Sequence, residues 1–254
     1  MTEQLRERKE ADIRNRLAIA LDVDDLVEAS RIAREVRPWF GVAKVGLVLY
    51  AAAGPDAVVE LVESGYRVML DLKLYDIPSH VRRAAQVMGG LGASYLTLHA
   101  SGGVSMLHGG VEGLAEGAAM AGLEPPAALA VTVLTSDAGA PSHVLGNRVR
   151  AAVEGGCQGI VCAASDVREA RQLAPRIVTV VPGIRLPGTS TDDQARASAP
   201  QSALEAGADL LVVGRAVTSA PDRARAAAEV VGPLTLERRR SGGDGAGLRE
   251  GPLY

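Results

Sequence analysis

The sequence is short of most features that mark metal, membrane or nucleic-acid proteins. Two cysteines in 254 residues, Cys157 and Cys162, are too few for a disulfide framework or a four-ligand zinc site. Cys162 sits in the apolar run Gly159-Ile160-Val161-Cys162-Ala163, which reads as a buried strand, so both thiols read as inert small core residues. The four histidines are scattered and form no HExxH pair, so no metal is expected. No stretch approaches the roughly 18 uninterrupted apolar residues of a membrane span. The N-terminal MTEQLRERKEADIRNR carries charge where a signal peptide would be apolar, and the cytoplasm is the expected compartment. Positive charge is not in excess either. A formal net charge of −3 leaves no basic footprint for nucleic acid, so an anionic ligand would have to be held by a few local cations.

What the sequence does have is alternation. Short aliphatic runs recur eight times between longer Ala-, Arg- and Glu-rich stretches, the βαβ pattern of a parallel sheet. The expected strands are 17–23, 41–47, 66–72, 94–99, 127–134, 159–163, 177–181 and 209–214. Helical stretches such as 25–37, 55–64, 79–91 and 192–206 open on Asp, Ser or Pro and close near Gly. Eight such units in a chain of this length predict an α/β protein of one domain, a closed (β/α)8 barrel over 17–232. A charged, helical segment over 1–16 precedes it. The Gly- and charge-rich stretch 233–254 is expected to be a flexible tail, and 182–191 (PGIRLPGTST) to be a mobile lid.

In such a barrel the reactive side chains gather at the C-terminal ends of the strands. Reading strand by strand, those ends carry Asp22, Lys44, Asp71 with Lys73, His99, Thr135, Ser165, Arg185, and Gly214 with Arg215. Period-two alternation in Leu70-Asp71-Leu72-Lys73 turns both leucines one way and both charges the other. The same parity puts Ala18, Ala20 and Asp22 on the barrel-interior face. Each charge also has a plainer reading: Lys44 could snorkel from a strand end, Asp22 could cap the next helix, and Asp71 with Lys73 could be a structural ion pair. Their convergence on one end favours a site. Gly214 and Arg215, after the eighth strand, occupy the region where barrels of this kind bind phosphate.

The run Asp71-Leu72-Lys73-Leu74-Tyr75-Asp76-Ile77-Pro78 resembles the D-x-K-x-x-D-I-P signature of orotidine 5′-monophosphate decarboxylases. The resemblance continues in order through Ala20-Leu21-Asp22, Lys44-Val45-Gly46, His99-Ala100 with Gly102-Gly103, Val131 to Ser136, Pro182-Gly183-Ile184-Arg185, Asp193-Gln194 and Val212-Val213-Gly214-Arg215. D-x-K-x-x-D alone is shared with a wider superfamily of sugar-phosphate enzymes; the ordered set is more specific. The resemblance implies that Lys73 donates a proton to C6 of the pyrimidine, within a charged array of Lys44, Asp71, Lys73 and Asp76. It further implies that Asp76 comes from the neighbouring subunit of a homodimer, that Asp22 meets the ribose hydroxyls and that Thr135 meets the pyrimidine edge. Ile77 is carried over as a substrate contact. Arg185, Gln194, Gly214 and Arg215 would hold the phosphate. One position departs from the family: a threonine usually stands two residues after the D-I-P proline, where this chain has His80.

The implied substrate is orotidine 5′-monophosphate, decarboxylated without a cofactor, so the protein itself must supply the electrostatics. Carboxylates beside Lys73 would favour its charged form. Two rivals remain: a Mg2+-dependent sugar-phosphate decarboxylase or synthase of the 3-keto-gulonate-phosphate type, and a catalytically silent nucleotide-binding barrel.

Overall fold

Alternation along each strand sorts the side chains into two apolar layers. Leu17, Ile19 and Leu21 pack outward against helices, while Ala18 and Ala20 face inward with Val42, Met69, Tyr95, Leu129, Val131, Val161, Val180, Leu210 and Val212. Such a double layer requires a parallel sheet covered on both faces. In the computed structural model, which describes residues 10–137, 141–185 and 198–236, eight parallel strands close in sequence order.

The strands are β1 (Leu17–Ala20), β2 (Val42–Gly46), β3 (Arg67–Leu74), β4 (Tyr95–His99), β5 (Ala127–Val131), β6 (Gly159–Val161), β7 (Val178–Ile184) and β8 (Leu210–Val213). Around them run α1 (Leu26–Val36), α2 (Leu47–Ala53), α3 (Asp56–Glu63), α4 (Pro78–Gly89), α5 (Gly103–Ala121), α6 (Ser142–Glu154), α7 (Val167–Leu173), α8 (Pro200–Glu205), α9 (Arg215–Thr218) and α10 (Arg223–Leu236). β1 pairs with both β2 and β8, which closes the ring. All eight expected strands are present within a few residues of their expected bounds, and both cysteines are buried thiols.

Local chemistry explains the ends that matter for function. Asp25 caps α1 by accepting from the Val27 and Glu28 N–H groups, so this role falls to Asp25 rather than Asp22. Pro78 opens α4 at a position where a missing N–H costs nothing. That helix is anchored by α5, whose Gly109, Gly113 and Gly117 recur every fourth residue. A Cβ on Gly113 would overlap the Arg82 carbonyl oxygen, and one on Gly117 the Gln86 carbonyl oxygen. The two helices therefore meet backbone to backbone, and α5 sets where α4 begins.

Three expected boundaries need revision, the first being β7, which runs past 181 to Ile184 and so takes residues 182–184 of the expected lid into the sheet, with a register slip against β8. β3 continues past 72 to Leu74, with a register slip against β4 between Leu70 and Leu74. At the other end, α10 runs through Pro233 to Leu236, where Leu234 is buried, so chain expected to fray begins later than composition suggested. The rest of the expected tail, 237–254, the lid residues 186–191 and residues 192–197 of the expected helix 192–206 lie outside the described residues, and the described remainder of that helix is α8 (Pro200–Glu205).

Candidate active site

Register places the charges. Lys44 is the Cα partner of Ala20 on one side and Met69 on the other, and Asp71 is the partner of Gly46. Since Val42 and Met69 point into the barrel, so do Lys44 and Asp71 two residues further along. Lys44 is 8% exposed, deep enough that its ammonium needs partners. It has two: Asp22 Oδ1 at 2.8 Å and Asp71 Oδ2 at 3.6 Å. Asp71 Oδ1 in turn accepts from Lys73 Nζ at 2.8 Å. The result is a chain of alternating charge, Asp22, Lys44, Asp71, Lys73, along the rim.

Burial pushes the Asp71 carboxyl up. The Coulombic pull of Lys44 and Lys73, with hydrogen bonds from Lys73 and Thr97, outweighs it and leaves the group below its ordinary value of 3.8. Asp71 is ionised throughout the neutral range. Gly46 is required by the same cluster, because a Cβ there would lie 2.7 Å from Asp22 Oδ1 and 3.0 Å from Lys44 Nζ.

These residues border a cavity of about 530 Å³ at the C-terminal ends of the strands. Asp22, Lys44, Asp71, Lys73, Thr135, Arg185, Gly214 and Arg215 all line it. Arg185 Nη2 is buried with no acceptor among the described residues, while its Nη1 donates to Ile184 O at 3.3 Å. An unsatisfied guanidinium N–H in a cavity wall is what an anionic ligand oxygen would satisfy. α9 is a single turn beginning at Arg215, so its dipole adds little and the two arginines must supply most of the positive field.

Asp76 and Ile77 stand apart from that cavity. Asp76 accepts from the Ile77 N–H at 2.6 Å and lies 3.5 Å from His80 Nδ1. Both Asp76 and Ile77 are exposed at the start of α4, and among the described residues the ion pair of Lys73 is with Asp71. Gln194 lies outside the described residues. Ser165 hydrogen-bonds Asp166 in a short turn after β6 and does not line the cavity.

His99, at the end of β4, accepts at Nδ1 from the Ser101 N–H at 3.3 Å, with the Ser101 hydroxyl 2.5 Å away. Burial, then the charges of Arg148 and Lys73, hold its imidazole below the ordinary value. Its ring lies 5.5 Å from that of Tyr75, tying β4 to the segment between Lys73 and Asp76. No three His, Cys, Asp or Glu side chains converge as a metal cluster among the described residues.

Two features escape a reading of strand ends. Thr97, fully buried inside the barrel, hydrogen-bonds both Lys73 and Asp71. Arg223 also lines the cavity but is committed elsewhere: it pairs with Glu28 at 2.9 Å and Glu35 at 3.1 Å and donates to Thr218 O, tying α9 to α1. The parity rule that placed Asp71 would have found Thr97, which shares a face with Tyr95 and His99. Nothing local in the sequence marks Arg223.

Fold and cluster together define a (β/α)8-barrel enzyme with lysines set among carboxylates and two arginines lining the same cavity. The chain belongs to the Orotidine 5'-phosphate decarboxylase / HUMPS family, whose pattern matches residues 15–230. Orotidine 5'-phosphate decarboxylase of Heliobacterium modesticaldum is 41% identical over 232 residues, covering 87% of this chain and 96% of the relative. That of Thermobifida fusca is 41% identical over 231 residues, covering 86% and 95%. Among solved structures, orotidine 5'-phosphate decarboxylase from Lactobacillus acidophilus superposes with a TM-score of 0.71 at 30% identity, covering 84% of this chain and 96% of that one. The Pyrococcus horikoshii OT3 enzyme gives 0.69 at 26% identity, with the same coverage.

Proposed function

We propose that the chain is a carboxy-lyase that converts orotidine 5′-monophosphate to uridine 5′-monophosphate and CO2 in pyrimidine biosynthesis, with Lys73 as the proton donor. The observation that carries this reading is the Asp22–Lys44–Asp71–Lys73 array at the mouth of a nucleotide-sized cavity. The catalytic unit is one barrel, 17–232.

The C6–carboxylate bond breaks and leaves its electron pair on C6. Lys73 Nζ, held by Asp71, sits where that charge develops and transfers a proton to C6, then regains one from solvent. Asp71 fixes the ammonium. Asp22 and Lys44 extend the array toward the ribose, and Thr135 meets the pyrimidine edge. Arg185, Gln194, Gly214 and Arg215 hold the phosphate, whose remote binding energy is used to position the reacting ring.

Among the described residues, Lys73 meets one carboxylate of its own chain, that of Asp71. A homodimer in which Asp76 and Ile77 of a second copy close over the cavity gives it the second, and accounts for their exposure at the start of α4.

The test is an ultraviolet assay of orotidine 5′-monophosphate in the presence of EDTA. Consumption of substrate with formation of uridine 5′-monophosphate is the expected result. No consumption overturns the proposal, and activity that needs added Mg2+ transfers the chain to the sugar-phosphate branch of the superfamily.

A further inference from the structure

Among the described residues, Lys73 is the one non-glycine residue with a positive φ, 50°. A residue with a Cβ holds that conformation only where its surroundings over-determine it. At this point β3 slips register against β4, between Leu70 and Leu74, so the regular ladder no longer provides for the Lys73 N–H. A side chain takes its place. The Lys73 N–H donates to Thr97 Oγ1 at 2.8 Å.

Thr97 is fully buried, and its hydroxyl has one proton to give. Two acceptors are in reach: Asp71 Oδ1 at 3.1 Å and Leu70 O at 3.5 Å. The nearer is also the charged one, and a charge-assisted bond is the stronger. Asp71 Oδ1 also receives the Lys73 ammonium at 2.8 Å. A ring is thereby closed, from the Lys73 backbone through Thr97 and Asp71 to the Lys73 side chain.

We infer that Thr97 is a positioning residue for the decarboxylation: its hydroxyl fixes the left-handed backbone of Lys73 and aims the Asp71 carboxylate at the Lys73 ammonium. The expected effect on rate rests on the decarboxylase reading; the structural effect does not. Valine in place of Thr97 keeps the volume but removes both hydrogen bonds, whereas serine keeps both.

The experiment compares Thr97→Val and Thr97→Ser in the full chain, by steady-state kinetics with orotidine 5′-monophosphate and by crystallography. Valine should lower kcat by about 10- to 100-fold, the effect of losing one charge-assisted hydrogen bond. KM should move by less than about threefold, because the phosphate grip is untouched. Serine should stay within about threefold of the parent kcat. In the valine crystal, Lys73 should leave the positive-φ region or lose its contact with Asp71. If valine does not fold, Thr97→Ala replaces it and is read the same way.

An unchanged kcat in the hydroxyl-less variant overturns the inference, as does a loss that serine shares in full. If the parent chain does not consume the nucleotide, the functional reading fails, and the crystal structure alone decides the positional claim. Lys73 unmoved there, with its Asp71 contact intact, refutes it.

Discussion

Asp71 Oδ1 and Lys73 Nζ lie 2.8 Å apart, and the other oxygen of the same carboxylate faces Lys44 at 3.6 Å. One partly buried anion thus holds two cations while staying ionised. A lysine ammonium has three protons. With one of them on Asp71, the others remain for the reacting carbon and for a second carboxylate.

Removal of the proposed phosphate contact at Arg215 should cost more than affinity. In Arg215→Ala, loss of about two charge-assisted hydrogen bonds corresponds to roughly 3 kcal/mol, or about 100-fold in kcat/KM. Part of the loss should fall on kcat, since remote binding energy orients the ring. Steady-state kinetics with orotidine 5′-monophosphate checks this, and an unchanged kcat/KM contradicts it.

Gly46→Ala separates site geometry from fold stability. The new Cβ would crowd Asp22 Oδ1 and Lys44 Nζ, both at flexible side-chain ends that can retreat. Stability should therefore change by less than about 1 kcal/mol, while kcat/KM falls by about 10- to 100-fold from the displaced array. Thermal melts and kinetics on one preparation test both halves.

The α4–α5 contact should behave in the opposite way. In Gly113→Val the overlap is with the Arg82 backbone carbonyl, which cannot move without shifting α4. Overpacking of this kind costs about 3 kcal/mol or more. A lower denaturant midpoint is the expected result, and an unchanged midpoint contradicts the close backbone contact.

Asp71 also predicts a pH dependence of stability. Its folded pKa lies below the ordinary 3.8. The unfolded chain therefore takes up the proton first as pH falls. The stabilisation is present in full above the unfolded value and is lost as pH drops through the folded one, with the decline starting below about pH 5. Urea unfolding as a function of pH should show that decline, and Asp71→Asn should flatten part of it. An identical slope in the variant contradicts the assignment.

Much of this was legible in the sequence because strands have a period of two. Eight aliphatic runs fixed the barrel, and parity sent Asp22, Lys44, Asp71 and Lys73 to the same end. Harder to read were features that depend on two strands at once. The slip between β3 and β4 and the positive φ of Lys73 arise from pairing, which no single segment encodes. Thr97 was passed over because it carries no charge and sits within its strand rather than at the end. Arg223 lies 195 positions from its partner Glu28, and an ion pair at that separation leaves no local pattern. The tail was expected to start at 233 because the glycines and charges beyond it offer little to bury, yet burial of Leu234 carries α10 to Leu236.

The central claim is that the Lys73 ammonium delivers the proton to C6, and Lys73→Ala tests it most directly. The variant should bind uridine 5′-monophosphate within about tenfold of the parent and lose turnover of orotidine 5′-monophosphate by at least about 10³-fold. Turnover near the parent rate, with nucleotide binding intact, would show that another group supplies the proton.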